Sequence, residues 1–391
     1  MKVKYSKREK NISVFNFILI LSILLVSCSS NVDDPLAYAL SSKKENIKRV
    51  LDSLDKYEVQ IIFSEIIKKE DGSIGFKDYE FQVDENKYFY PASTVKFPVA
   101  LLALEKLHQD ERFDRDTPFF IEGDTTKSDF ERELTKIFVV SDNNAYNKLY
   151  EYLGRDYINK KMQEKGLSPA RIAHRLSVAD ADDSVTKPLI FQLNDSTLTS
   201  TKAIQDSALL PLEIDKLQKG KGFYENGTLI DGPFDFSLKN YLPITTLHNT
   251  MKRVILPDAF QEEERFIFSE GDQRSLLTRM RVLPQNTRSY SNDERYYDSY
   301  SKFFMYGDSK EEIPEYVSIY NKVGSAYGYL TDCAYIVDNQ NDVKFFLTAT
   351  IHVNKNGIFN DDTYEYESIG IPFLAELGRE IHHAMVVKKF K

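Results

Sequence analysis

Tyr88-Phe89-Tyr90-Pro91-Ala92-Ser93-Thr94-Val95-Lys96-Phe97-Pro98-Val99-Ala100-Leu101-Leu102 is the stretch on which the reading of this chain turns. It begins in aromatic, strand-like sequence and runs into a continuously apolar segment, residues 94–108, whose Val, Ala and Leu content predicts a buried helix. Pro98 falls inside that helix and predicts a kinked or tightened first turn. Ser93 and Lys96 stand three apart at its start and therefore share a face. A lysine in such a place is costly to bury unless it is neutral or functional. At a helix N-terminus the dipole also favours a developing negative charge and disfavours a protonated amine.

The Ser-x-x-Lys spacing is weak on its own, because it occurs five times: Ser41/Lys44, Ser53/Lys56, Ser93/Lys96, Ser184/Lys187 and Ser299/Lys302. Context separates them. The other four pairs read as solvated surface residues, and only Ser93 and Lys96 open an apolar helix. A nucleophilic serine needs a base within hydrogen-bond reach and donors for the oxyanion. Two further stretches supply candidates. Ser141-Asp142-Asn143 is a short polar break between helices predicted at 130–140 and 144–153, and taken alone it reads as an N-cap. Lys322-Val323-Gly324-Ser325 places a lysine at the start of a strand and a glycine where a ligand can approach the backbone. Lys355-Asn356-Gly357 has the same spacing and reads as a turn.

Outside these motifs the chain alternates in character. Residues 45–57 predict a first helix, and 60–67 and 76–83 predict strands joined at Asp71-Gly72. Residues 111–314 are mostly helical and polar, with helices at 245–255 and 275–282. Two long Tyr- and Asp-rich stretches, about 184–243 and 284–314, read as insertions or lids, with hairpin signals at Asn226-Gly227 and Asp231-Gly232. Strands return at 317–325, 333–337 and 343–353, before a last helix at 372–387. The expected fold class is α+β: one antiparallel sheet built from both chain ends with flanking helices, plus an inserted helical lobe. The expected division is an α/β lobe of residues 45–110 plus 315–391 around a helical lobe of 111–314.

In this order, Ser-x-x-Lys, Ser-x-Asn and Lys-x-Gly followed by a hairpin and a closing helix resemble the class A β-lactamase-like members of the penicillin-recognising serine hydrolases. The likeness covers most of residues 45–391 apart from the insertions. The resemblance implies that Ser93 is acylated, that Lys96 takes its proton, and that Ser141 passes a proton to the leaving group. It implies that Asn143 holds Lys96 or the substrate amide, and that Lys322 supplies positive potential for a substrate carboxylate. Ser325 would bind that carboxylate, and the backbone N–H groups of Ser93 and Ser325 would form the oxyanion hole beside Gly324. Asp142 is read as structural. The implied substrate is a β-lactam or a peptidoglycan stem peptide, handled without a cofactor or metal.

Two departures bear on that reading. Val323 stands where the family usually has a hydroxyl-bearing or small residue. The glutamate that holds the deacylating water in class A enzymes is not found either. Laying its Arg-x-Glu on Arg175-Leu176 puts Ser177 at that place. Asp180 and Asp182 are near in sequence and are the candidates to hold the water instead. Three functions stay open: β-lactamase-type hydrolysis, a D-Ala-D-Ala carboxypeptidase or other penicillin-binding acyl-enzyme with slow deacylation, and a non-catalytic envelope binding lipoprotein.

The N-terminus bears on location. Residues 1–27 combine a basic start (Lys2, Lys4, Lys7, Arg8, Lys10) with an apolar run that is short for a membrane span and right for a signal peptide. They end in Leu25-Val26-Ser27-Cys28, which resembles a bacterial lipobox with Cys28 as the lipidated residue, followed by a tether over 28–44. The expectation is an exported bacterial lipoprotein, membrane-anchored in the cell envelope and monomeric. Without residues 1–27 the formal charge falls from −9 to −13, which argues against nucleic acid as a partner. Cys333 is the single cysteine after Cys28, so no intramolecular disulfide is available to the processed chain, and its apolar setting makes it a small core residue. The six histidines form no His-Glu-x-x-His arrangement.

Overall fold

The structure is a computed structural model, and it describes residues 32–390. The predicted signal peptide and Cys28 therefore lie outside the described residues. Five strands form the central antiparallel sheet: β1 (Gln60–Lys68), β2 (Ile74–Phe81), β3 (Val317–Ala326), β4 (Tyr329–Asp338) and β5 (Val343–His352). Their order is β3-β4-β5-β1-β2, so the two ends of the chain meet where β5 pairs with β1, Phe63 opposite Leu347. Burial follows position in the sheet. β5 is central and almost wholly buried, so its apolar residues fall on both faces, with Lys344 its one exposed side chain, whereas the edge strand β2 is largely exposed.

β3 and β4 are joined by the two-residue turn Tyr327-Gly328, both at positive φ, as a tight hairpin of matching twist requires. The turn makes β4 begin four residues earlier than expected, at Tyr329. It also lays Tyr327 edge-on against Tyr90, with ring centroids 4.9 Å apart.

Helices cover both faces of the sheet. On one face, the Ile371–Lys389 helix packs with Glu45–Leu51 and with Pro35–Leu40, around Leu36, Ile47, Phe373, Leu377 and Ile381. The stretch read as a tether thus contains, from Pro35 onward, a helix docked on the C-terminal helix. The sequence signal was present: Asp34 caps the Ala37 amide at 2.8 Å and Pro35 occupies the first turn. On the other face the Ile244–Ile255 helix is pinned by His248, whose ring nitrogens lie 2.7 Å from Ser64 Oγ and 2.8 Å from Thr348 Oγ1. Burial holds the His248 pKa well below its ordinary value, so this ring is a neutral peg.

The Lys96–His108 helix, which the expected division placed in the α/β lobe, packs among helices of the other expected lobe, against Phe130–Val139, Asn143–Leu153 and Arg155–Glu164. The last of these, following directly on Gly154 at positive φ, had no expectation attached to it. The helix expected at 275–282 starts earlier, as Glu270–Arg281, because Ser269 caps it with its hydroxyl on the Asp272 amide. The first insertion folds into small strand pairs, including a hairpin of Gly222–Glu225 with Thr228–Asp231 turned at Asn226-Gly227. The second folds into short 3-10 turns packed on β3 and the last helix. Among the described residues no helix is long and apolar enough to cross a membrane. Cys333 is fully buried, and that burial pushes its thiol pKa up.

Candidate active site

Ser93 sits in the 3-10 turn Ala92–Val95 that leads straight into the Lys96–His108 helix. This turn is the tightening that Pro98 predicted, with the proline accommodated in the first turn of the α-helix. Ala92 has a φ of +47°, a left-handed conformation unusual for a residue with a Cβ, and it holds Ser93 at the mouth of a cavity. Three N–H groups of such a first turn have no intrahelical acceptor, and the Ser93 amide is one of them.

Lys96 is fully buried, and its amine is the centre of the site. Nζ lies 2.8 Å from Ser93 Oγ, 2.6 Å from Asn143 Oδ1 and 3.3 Å from Ser141 Oγ, and it also bonds the Ser141 carbonyl. The two carbonyl oxygens can only accept, so they take two amine hydrogens. A neutral amine then has its lone pair left for the Ser93 hydroxyl, which is the geometry of a general base. Burial pushes the Lys96 pKa down to about 7, with Asp142 opposing weakly as a nearby anion.

Ser141 is also at positive φ (+58°), and this bend aims both its carbonyl and its hydroxyl at Lys96. Asp142 caps the following helix through the Ala145 amide at 2.8 Å, the structural role expected of it. Asn143 Nδ2 reaches Ser177 Oγ at 2.9 Å, so one amide ties the base to the loop of residues 174–178. Lys322, on β3, bonds Ser141 Oγ at 2.7 Å and the Val323 carbonyl at 2.7 Å. Burial and the nearby Lys96 hold its pKa well below the ordinary lysine value. The structure thus brings together Ser93, Lys96, Ser141, Asn143 and Lys322, with Gly324 and Ser325 on the adjoining strand.

Gly324 permits a close approach within the fold itself. A Cβ there would lie 2.7 Å from the Pro91 carbonyl, 2.9 Å from the Ser93 amide nitrogen and 3.0 Å from that of Thr94. The close approach that glycine permits is between β3 and the turn bearing Ser93, and it sets Ser325 beside that turn. Ser325 is exposed and lines the cavities on both sides.

Neither aspartate expected to hold the deacylating water lines the Ser93 cavity, although Asp182 is close enough to act on Tyr90 and Tyr327, which do. Asp180 is paired with Lys187 at 2.7 Å and lines a separate cavity with Asp124, Lys136 and Lys148. Asp182 is exposed, and it does not line the Ser93 cavity. Ser177 is what the loop presents. The loop is held rigidly: Arg175 forms a bidentate pair with Glu151 at 2.6 and 2.9 Å, and Asn147 clasps Leu176 through both its amide and its carbonyl. Asn143, Asn147 and Glu151 are spaced four apart, so a polar stripe on a helix otherwise rich in buried side chains was readable in the sequence.

One sequence reading is overturned outright. Ser299 and Lys302 are not surface residues; both are buried. Lys302 bonds Asn321 Oδ1 at 2.6 Å and the Met280 carbonyl at 2.8 Å. Asn321 in turn donates to Asp332 at 2.8 Å, and the Phe303 and Phe304 amides donate to the same carboxylate at 3.0 and 3.2 Å. This network sits under β3, where an opposite-charge partner on β4 compensates the lysine. The other three Ser-x-x-Lys pairs end in exposed lysines, Lys44, Lys56 and Lys187, as expected.

Residues 43–208 match the beta-lactamase enzyme family. No curated protein matches the sequence. Among solved structures, a beta-lactamase of Xanthomonas campestris pv. campestris is 14% identical and aligns over 90% of this chain and 98% of its own at a TM-score of 0.50. The beta-lactamase of Streptomyces albus G is 13% identical, over 88% of this chain and 100% of its own, with a TM-score of 0.49. That of Sphaerobacter thermophilus is 13% identical, over 90% and 96%, at 0.48. The fold is β-lactamase/transpeptidase-like α+β.

Gly324→Ala tests the contact between strand and nucleophile turn. The added methyl overpacks three backbone atoms, and a cost of about 1–3 kcal/mol is expected. Urea unfolding measures that cost. An unchanged midpoint would show that β3 does not depend on the glycine.

Proposed function

We propose that this protein is a serine hydrolase working through a Ser93 acyl-enzyme, with β-lactamase-type acyl transfer and slow release of the acyl group. The observation that carries the reading is the Lys96 amine, 2.8 Å from Ser93 Oγ, with acceptors on its other sides and a pKa of about 7. In the acylation step Ser93 Oγ bonds the carbonyl carbon of an amide or ester, and its proton passes to Lys96. The oxyanion is received by the amides of Ser93 and Ser325. As the bond to the leaving group breaks, Ser141 gives that group its proton. Ser141 recovers a proton from the Lys96 ammonium, 3.3 Å away, with Lys322 holding the hydroxyl in place.

Release requires a water whose proton is taken as it attacks the ester carbon. In the loop, a neutral hydroxyl, Ser177, stands where a carboxylate base would serve, and Asp180 is committed to Lys187. This favours the slow-deacylation form of the reading over rapid β-lactam turnover. The donors that the resemblance implies are β-lactams and peptidoglycan stem peptides. A complete set of acylation groups, assembled at hydrogen-bond distance around a costly buried amine, argues against a purely non-catalytic binding scaffold. We further propose that the chain is exported and anchored through lipid on Cys28, from the lipobox-like Leu25-Val26-Ser27-Cys28.

Three measurements follow from this reading. A fluorescent penicillin and an activated phenyl ester are each expected to give a covalent adduct on Ser93, identified by peptide mass, that persists over many minutes and is absent in Ser93→Ala. An adduct in neither case removes the proposal, and rapid loss of the adduct with turnover removes its slow-release half. The acylation rate should climb with pH through about 7 and then level, because only the neutral Lys96 amine can take the Ser93 proton. A rate already maximal at pH 5 would mean that Lys96 is not the base. Palmitate fed to expressing bacteria should label the wild-type protein and not Cys28→Ser; equal labelling would remove the anchor.

A further inference from the structure

The Tyr-rich insertion builds a second, smaller cavity on the far side of the nucleophile, and its chemistry bears on which acyl donor fits. The larger cavity, about 590 Å³, is the one lined by Ser93 together with Ser177 and Tyr327. The smaller, about 190 Å³, is lined by Ser141. Ser325 and Tyr366 line both, so a substrate bound at Ser93 reaches across into each. Resting on the Ser93 reading above, Ser141 protonates the departing atom. The leaving group therefore occupies the 190 Å³ cavity, and the acyl group lies in the larger one.

The walls of the smaller cavity are aromatic and aliphatic: Tyr297, Tyr300, Tyr366, Val323 and Leu330, with Glu367 as the charged side chain among its lining residues. Val323, Ser325 and Leu330 share one face of the β3–β4 pair, Ser325 opposite Leu330, so the strand floor offers a hydroxyl between two apolar side chains. The rings are fixed. Tyr300 packs edge-on against Tyr296 and Tyr297, at centroid distances of 4.8 and 6.2 Å, and the Tyr366 hydroxyl accepts from the Gly328 amide at 2.8 Å. Glu367 is exposed at the rim, close enough to Tyr297 to raise its pKa.

Positive charge is scarce there. The Lys322 amine is spent on Ser141 and the Val323 carbonyl, and burial disfavours its charged form. Lys302 is buried beneath the floor, bonded to Asn321 and facing the carboxylate of Asp332. Lys310 stands over the Tyr297 ring, 5.2 Å from its centroid, and does not line the cavity. A carboxylate placed here would lose water and face Glu367, with serine and tyrosine hydroxyls but no cation among the lining residues.

We propose that this cavity selects acyl donors whose leaving group is a single uncharged aromatic or apolar unit without a carboxylate, with Val323, Leu330 and Glu367 as the residues that set the preference. The preferred donor is then an ester or amide of that kind. Donors bearing an acid next to the scissile bond, β-lactams among them, acylate Ser93 more slowly.

Two esters with the same phenylacetyl group test this, one of phenol and one of 3-hydroxybenzoate, phenols of similar acidity that differ by one carboxylate. The second-order rate of Ser93 acylation is followed by release of the phenol. The neutral ester should react at least about tenfold faster in the wild-type protein. Glu367→Lys, a change at an exposed position, should shrink that ratio by about tenfold or invert it, because it replaces a repelling charge with an attracting one. Equal rates, or a faster carboxylated ester, in the wild type would overturn the preference, and a ratio unmoved by Glu367→Lys would remove that residue from it. If neither ester acylates Ser93, the Ser93 reading falls first and the cavity's assignment falls with it.

Discussion

The buried Lys96 amine is the constraint from which the rest of the site follows. An ammonium taken out of water costs several kcal/mol unless it is compensated, and the only anion acting on Lys96 from nearby is Asp142, which is itself engaged in capping a helix. The protein answers this by lowering the pKa of the amine to about 7, so that its neutral form is accessible, and by offering its hydrogens two carbonyl oxygens. Those carbonyls come from two residues of one turn, Ser141 and Asn143, and this explains why that turn is bent through a left-handed serine. A relaxed turn would move the Ser141 carbonyl off the amine and leave Lys96 short of an acceptor.

The same requirement ties the two lobes together. Lys96 enters from the helical core, whereas Lys322 arrives on β3 at the other end of the chain, and Ser141 Oγ is the atom that links them. The nearby Lys96 amine adds to burial in lowering the proton affinity of Lys322. β3 can come this near because Gly324 has no side chain to hold it off the Ser93 turn. Its underside is kept in place by Asn321, which accepts from Lys302 and donates to Asp332. The strand bearing Lys322 is thereby seated by a further buried lysine, Lys302.

How much of this could be read beforehand depended on the range of the interaction. The Ser93 turn, the Asp142 cap and the strand with Lys322 are local patterns, and each was legible because a few neighbouring residues determine it. The alternation of apolar runs also carried the sheet from both chain ends, since β5 must be covered on two faces. Asn147 and Glu151 were legible as an i, i+4 stripe with Asn143, though a stripe does not name its partner in a loop some 25 residues on. Lys302 was not legible at all. It stands in a polar, tyrosine-rich stretch without periodicity, and what makes it tolerable indoors is an aspartate on β4 brought near by the hairpin. The helix at Pro35–Leu40 carried its cap and its proline in the sequence, but it was masked by the expectation of a tether.

On the proposed acyl-enzyme reading, Asn143 explains how formation and release of the intermediate would be separable. Its carbonyl serves Lys96 and its amide serves Ser177, so the base for acylation and the loop for release hang on opposite ends of one side chain. The loop is rigid, clamped by Arg175 on Glu151 and by Asn147 on Leu176. The residue at its tip is therefore set by sequence, not by motion. With a hydroxyl there, the loop still orders Asn143, and through it Lys96, but it contributes no carboxylate to a water. On that reading a single loop position would alter the lifetime of the intermediate while the contacts of Lys96 with Ser93, Ser141 and the carbonyl end of Asn143 stay as they are.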